Sequence, residues 1–300
     1  MLSRSTTTAD PPRSRLQIAT SRRDGDIHFT CEGRTPINID KSLIVVTGAS
    51  SGIGAQTARV LARAGAHVIL VARSAGAIES IALDLRDQGL AATAVAADLG
   101  QRDDASRMAQ YVLDEIGIPD AIINNAGAGR FLRIEETDPA QAEEMMAAPY
   151  FAAFLTTRMF IEPMLARGTG TVLMVNSPVS IMPWPAAVGY ASARFALKGF
   201  TEALRQDLRG TGLVVSSVTP TRVDSPYFDN NPGAAERIPK AEALLGSTTP
   251  DAVAHSILTT LERGRRDVHL PWRWAMMAPL ARAFPRPVAY LTARTGAQRR

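Results

Sequence analysis

The stretch SLIVVTGASSGIGAQTARVLARAGAHVILVAR, residues 42–73, decides the fold. SLIVVTG (42–48) is a short β-branched apolar run, IGAQTARVLARAG (53–65) has helical spacing closed by Gly65, and HVILVAR (67–73) is a second buried-strand pattern. The three make a strand–helix–strand unit. Between the first strand and the helix lies TGASSGIG, Thr47 to Gly54. Glycine in such a turn lets backbone N–H groups approach a pyrophosphate that a Cβ would keep away, and the helix N-terminus adds the positive end of its dipole.

The alternation continues outward from this unit. A helix is expected over 75–88, a strand over 91–96, a helix over 101–116 and a strand at DAIINN (120–125). A long helical stretch from about 140 to 167 follows, then the strand TVLMVN (171–176), a helix over 187–209 and the strand LVVSSV (213–218). Strands this uniformly apolar are covered on both faces, which predicts an α/β fold with a parallel sheet between two helical layers.

Composition narrows the class. Three hundred residues with 46% hydrophobic content can bury one large core, and a single main domain with extensions is expected. The lone cysteine, Cys31, excludes an internal disulfide framework and fits a reducing compartment, the cytoplasm. The net charge of +4 belongs to the C-terminal tail, because residues 271–300 hold six arginines and no acids whereas residues 1–40 hold six arginines against five acids. No basic stripe interleaved with aromatics crosses the body, so nucleic acid is not an expected partner. His67, His255 and His269 have no Cys or second His at ligand spacing, and no metal site is expected.

Residues 1–40 lack a helical or strand period and carry several breakers, so they read as a flexible extension with no apolar segment of a secretory signal. The tail, PWRWAMMAPLARAFPRPVAYL (271–291), is apolar with spaced arginines. Its uncharged runs are too short to span a bilayer, and four readings stand side by side: packing in the core, a cap on a substrate cleft, contact with another subunit, or peripheral contact with a membrane surface.

Further features fall at expected strand ends, where open α/β sheets bind ligands. NNAG (Asn124 to Gly127) closes the fourth strand and ADL (Ala97 to Leu99) the third, while Ser177 follows the fifth strand thirteen residues before Tyr190. With the glycine loop and YASARFALKGFTEAL (190–204), these residues resemble the short-chain dehydrogenase/reductase family over roughly residues 41–270. The resemblance implies a single Rossmann-type doubly wound parallel sheet, an NAD(P)-dependent oxidoreductase activity on a small molecule, and a homo-dimer or homo-tetramer. It gives domain limits of 1–40, 41–270 and 271–300. Gly48, Ser50, Ser51, Gly52, Ile53 and Gly54 would line the pyrophosphate and adenosine ribose, Asp98 and Leu99 the adenine, and Asn125, Ala126 and Gly127 the ribose and nicotinamide. Pro220, Val223 and Ser225 belong to the segment after the sixth strand, where Thr221 stands in place of a usual glycine.

At the end of the second strand an acid would bind the adenosine ribose 2′-hydroxyl and repel a 2′-phosphate; this chain has Ala72 and Arg73, so NADP(H) is the expected cofactor. In the resemblance Ser177 polarises a substrate carbonyl and Tyr190 is the general acid/base. Two positions depart from the family pattern. Arg194 stands where a lysine is usual and Pro149 where an asparagine is usual. Tyr190 and Arg194, four residues apart, share a helix face about 6 Å apart along the axis. A guanidinium there keeps the positive charge and the capacity to hold cofactor but cannot pass a proton on. Pro149 is expected to kink its helix and free the Met145 carbonyl. Met182, Trp184 and Val188 suggest a bulky apolar substrate, and the expected reaction is carbonyl reduction or alcohol oxidation. Non-redox chemistry on the same fold, or cofactor binding without catalysis, are the alternatives.

Overall fold

The computed structural model describes residues 36–224 and 234–297. The strands are β1 (Leu43–Thr47), β2 (His67–Ala72), β3 (Ala92–Ala96), β4 (Ala121–Asn124), β5 (Gly170–Val175), β6 (Leu213–Pro220), the short β7 (Arg222–Val223) and β8 (Ser247–Thr248), and β9 (Asp267–Leu270). The helices are α1 (Gly52–Arg63), α2 (Ala75–Asp87), α3 (Arg102–Glu115), α4 (Pro139–Met146), α5 (Ala152–Arg167), α6 (Val188–Asp207), α7 (Ala234–Arg237), α8 (Pro250–Arg263), α9 (Trp272–Ala283) and α10 (Pro285–Thr295). Seven strands form one sheet in the order β3-β2-β1-β4-β5-β6-β9, every pair parallel.

Alternate residues of each strand serve opposite layers, which explains the continuous apolar runs. Ile44, Val46, Val68 and Leu70 pack with α1, α2 and α8 on one face, while Val45, Ile69, Val71 and Ile122 pack with α3, α5 and α6 on the other. This is the doubly wound Rossmann-type architecture. A third apolar cluster lies apart from both and joins Phe131, Val179, Met182, Trp184 and Tyr190 to Trp274 and Ala278 of α9.

Three expectations change. The single helix expected over 140–167 is two, α4 and α5, joined by a π-helical turn over Ala147–Phe151. Pro149 offers no N–H, and the chain widens there so that the N–H of Ala152 reaches the carbonyl of Ala147, five residues back. Strand β9 extends the sheet beyond β6 although Asp267 to Leu270 has no marked strand pattern. Of the extension expected over 1–40, residues 1–35 lie outside the described residues, as do Cys31 and Ser225. Residues 36–40 are packed: Ile39 is buried in the core and the N–H of Ile37 donates to the carbonyl of Leu261.

Candidate active site

From β1 the chain winds one way, to β2 and β3, and from β4 the other way, to β5, β6 and β9. The crevice outside the C-terminal ends of β1 and β4 therefore stays uncovered by a crossover. It holds a cleft of about 1000 Å³.

One wall is the glycine loop. Gly48 has a positive φ of 64°, and a Cβ there would lie 2.9 Å from Cα of Ala126. A Cβ on Gly54 would lie 2.2 Å from the carbonyl oxygen of Gly48, so Gly54 packs beneath the loop, while Ser50, Ser51, Gly52 and Ile53 line the cleft. The NNAG turn is laced to this loop. The Thr47 hydroxyl accepts from the N–H groups of Asn125 and Ala126 at 3.0 Å each, and Nδ2 of Asn125 donates to the carbonyls of Thr47 at 3.0 Å and Gly48 at 3.3 Å. Asn125, Ala126 and Gly127 all reach the cleft wall. Ser51, the N-cap of α1, makes no side-chain capping bond, and the first turn carries no acid, so its amides and dipole are open to an anion.

At one end of the cleft stand Arg73, Asp98 and Leu99. The Asp98 carboxylate accepts from the N–H of Gly100 at 3.0 Å, which fixes the loop after β3. Arg73 is exposed and pairs with no acid among the described residues.

At the other end, Ser177, Tyr190 and Arg194 come together on the wall, with Pro220 and Val223 beside them. The N–H of Ser177 donates to Oδ1 of Asn176 at 2.9 Å and the Ser177 carbonyl accepts from the Ser180 hydroxyl at 2.8 Å, so the turn after β5 is held from both sides. Tyr190 is buried on α6, its ring 5.1 Å from that of Phe131. It fits because residue 129 is glycine: a Cβ there would lie 2.1 Å from Cδ2 of Tyr190. Arg194 is also buried. Its Nη1 donates to the carbonyl of Val175 at 3.0 Å, its Cζ lies 5.2 Å from the centre of the Tyr190 ring, and its Nε has no partner. A Cβ on Gly127 would lie 2.5 Å from Nη2, so the guanidinium occupies a slot that a larger residue would fill.

Pro149 is buried beside Ala148 and Ala152, which line the cleft, and is not itself on the wall. Lys198 points elsewhere, its Nζ donating to the carbonyl of Ser180 at 3.4 Å. Of the three expected apolar residues, Trp184 lines the cleft, Met182 is buried in the cluster behind it, and Val188 is exposed outside it. The reason is local: Val188 opens α6, and its side chain points off the face that carries Tyr190. Thr221 uses its hydroxyl to bind the carbonyl of Gly246 at 2.7 Å, tying β6 to the β8 loop.

Several cleft residues carry no signal in the sequence. Phe131, Met145 and Ile238 supply apolar wall, and Glu242 supplies a carboxyl. Glu242 is buried, which raises its pKa above the ordinary glutamate value despite the N–H of Arg222 donating to Oε1 at 3.2 Å. Each arrives from a segment outside the central strands, Met145 from α4 and the others from the connections after β4 and β7, that only the folded chain brings to the sheet edge.

Comparison with known proteins agrees with this geometry. The family model described as short chain dehydrogenase matches residues 42–234. An uncharacterized oxidoreductase, YxnA, of Bacillus subtilis is 33% identical over 249 residues, covering 81% of this chain and 69% of that protein. The 1-deoxy-11-beta-hydroxypentalenate dehydrogenase of Streptomyces exfoliatus is 35% identical over 187 residues, covering 61% of this chain and 67% of its own length. Among solved structures, an alcohol dehydrogenase of the archaeon Thermococcus sibiricus complexed with 5-hydroxy-NADP aligns with a TM-score of 0.67 at 28% identity, over 77% of this chain and 95% of that one. A metagenomic short-chain oxidoreductase in complex with NADP aligns at 0.65 and 26% identity, over 78% and 97%. With fold, cleft and matched segment in accord, the chain belongs to the short-chain dehydrogenase/reductase family of oxidoreductases.

Proposed function

We propose that this protein is an NADP(H)-dependent oxidoreductase that interconverts a carbonyl and an alcohol on an apolar small molecule. The observation that carries the reading is the convergence of Ser177, Tyr190 and the uncapped start of α1 on one cleft. The site fits the cofactor: the open first-turn amides of α1 suit a pyrophosphate, and the unpaired Arg73 suits a 2′-phosphate. Both solved relatives named above are complexed with NADP or a derivative of it. When bound, a nicotinamide supplies or accepts the hydride. The protein manages the proton. Tyr190 Oη gives it to the substrate oxygen in reduction, Ser177 donates a hydrogen bond to that oxygen, and Arg194 places a permanent charge beside the ring where negative charge develops. Phe131, Trp184, Met145 and Ile238 make the wall an apolar substrate would meet.

One observation favours a second reading. Glu242, a buried carboxyl with a raised pKa on the same wall, is suited to redox-neutral proton transfer. Following NADPH absorbance with a panel of apolar ketones separates the two. The redox reading requires NADPH oxidation that Tyr190→Phe abolishes; product formed without net cofactor turnover, and lost in Glu242→Gln, would establish the second.

A further inference from the structure

Helix α9 is apolar almost all round, with only Arg273 and Arg282 charged. Such a helix is normally covered on every side. One side is covered: Trp274, Ala278 and Ala281 are buried, and Trp274 joins Trp184 and Tyr190 in the third apolar cluster. The other side is bare. Trp272 is 65% exposed, Met276 60%, Leu280 51% and Phe284 58%, four residues apart along one slowly winding stripe. Met277 lies beside the stripe, and Tyr290 and Leu291 of α10 add further exposed apolar surface. A run of this length is more than the scattered apolar residues of an ordinary surface, and it marks a binding face.

Charge identifies what the face receives. From Val268 to Arg300 the sequence contains no Asp or Glu, and Arg273, Arg282, Arg286 and Arg294 fall within α9 and α10. The guanidinium of Arg273 lies 5.7 Å from the Trp272 ring, so the cation sits at the edge of the apolar stripe. Tryptophan and tyrosine beside arginine is the composition of a membrane–water interface. A second copy docking symmetrically through α9 and α10 would set these helices, which carry arginines and no acid of their own, against each other, which charge repulsion opposes. No helix among the described residues is long and apolar enough to cross a membrane, so contact would lie in the plane of the surface.

We propose that the exposed face of α9, with α10, docks this protein on an anionic phospholipid surface. The assignment is independent of the redox reading. The test is flotation of the full-length protein with vesicles of phosphatidylcholine alone and of phosphatidylcholine containing about a third phosphatidylglycerol, a mixture that gives a negative surface potential. Partitioning onto the anionic vesicles should exceed that onto phosphatidylcholine by roughly tenfold or more and fall with added salt. Trp184 and Trp274 are buried, so a blue shift of tryptophan emission on anionic vesicles would report Trp272. Trp272→Glu with Leu280→Glu should weaken partitioning at least roughly tenfold, and Arg273→Glu with Arg286→Glu should remove the preference for anionic lipid, both with unchanged circular dichroism. Wild-type protein that stays off both vesicles, or variants that partition as wild type does, would overturn the assignment. Self-association by sedimentation velocity that the Trp272→Glu, Leu280→Glu variant abolishes, without vesicle binding, would give the face to a second copy instead.

Discussion

Arg194 is the residue on which the proposed chemistry turns. Its carbonyl accepts from Nδ2 of Asn176 at 3.4 Å and its Nη1 is spent on the carbonyl of Val175, so the guanidinium is fixed against the Tyr190 ring. If its role is the charge, Arg194→Lys should keep reductase activity, and Arg194→Ala should lose about 10²-fold or more in kcat/KM. Tyr190→Phe should be close to inactive, because no other described hydroxyl on that part of the wall except Ser177 is placed to exchange the proton. A rate series on the three variants with NADPH oxidation followed directly checks this; wild-type rates in both Tyr190→Phe and Arg194→Ala would make the pair structural. Arg73 carries a separate prediction. A charge-assisted contact to a 2′-phosphate is worth about 1.5–3 kcal/mol, so NADPH should bind at least about tenfold tighter than NADH. Fluorescence titration of Arg73→Ala should find that preference gone.

At the scale of elements, α9 divides into a packed and an open side, and the two tryptophans separate them. Trp274 is fully buried in the third apolar cluster and lies 5.6 Å from the ring of His269, so Trp274→Ala should cost about 3–5 kcal/mol. Trp272→Ala, on the open side, should change stability by no more than about 0.5 kcal/mol. Urea denaturation of the two variants measures the difference directly. A tail cut at residue 272 therefore removes core, whereas one cut after α9 removes α10, anchored by the Thr292 hydroxyl on the carbonyl of Pro183 at 3.1 Å. The turn at Pro149 is a second case in which an element differs from its pattern. The apolar period runs unbroken from α4 into α5, but the missing N–H forces a wider turn that brings Ala148 and Ala152 to the cleft.

Across the whole molecule, titratable groups withdrawn from water set a pH dependence. His269 is half-buried beside Trp274, its Nδ1 enclosed and unpartnered, and desolvation, then the charges of Arg282 and Lys198, push its pKa from 6.5 to about 4 against the pull of Asp267. Between those values the unfolded chain binds a proton that the folded chain refuses. Stability from this group is therefore complete above pH 6.5 and is lost as pH falls toward 4, by no more than about 3 kcal/mol. Glu242, whose pKa is raised, acts in the opposite sense: its contribution is present at low pH and lost as pH rises through its folded value. Comparing urea midpoints at pH 7 and pH 5 for wild type and His269→Gln isolates the histidine. The variant should lose less stability on acidification, and an equal loss would remove His269 as the cause.

The sequence by itself determined the parallel sheet, because strands buried on both faces must be apolar through their length apart from the ends, and β1, β2, β4 and β5 are, with Thr47, His67, Asn124 and Thr171 at or next to their ends. It also determined the glycine loop, since Gly48 and Gly54 stand where a Cβ would strike the Ala126 and Gly48 backbones. The spacing of Tyr190 and Arg194 likewise places them together by helix geometry alone. What only tertiary structure decided lies where contacts join distant segments. The pairing of β9 with β6, the stacking of Phe131 on Tyr190, the burial of Glu242 and the two-sided character of α9 leave no period in the chain. Period records which side of an element is apolar; what comes to cover that side, or leaves it bare, is fixed by loops and by the end of the sheet at which they meet.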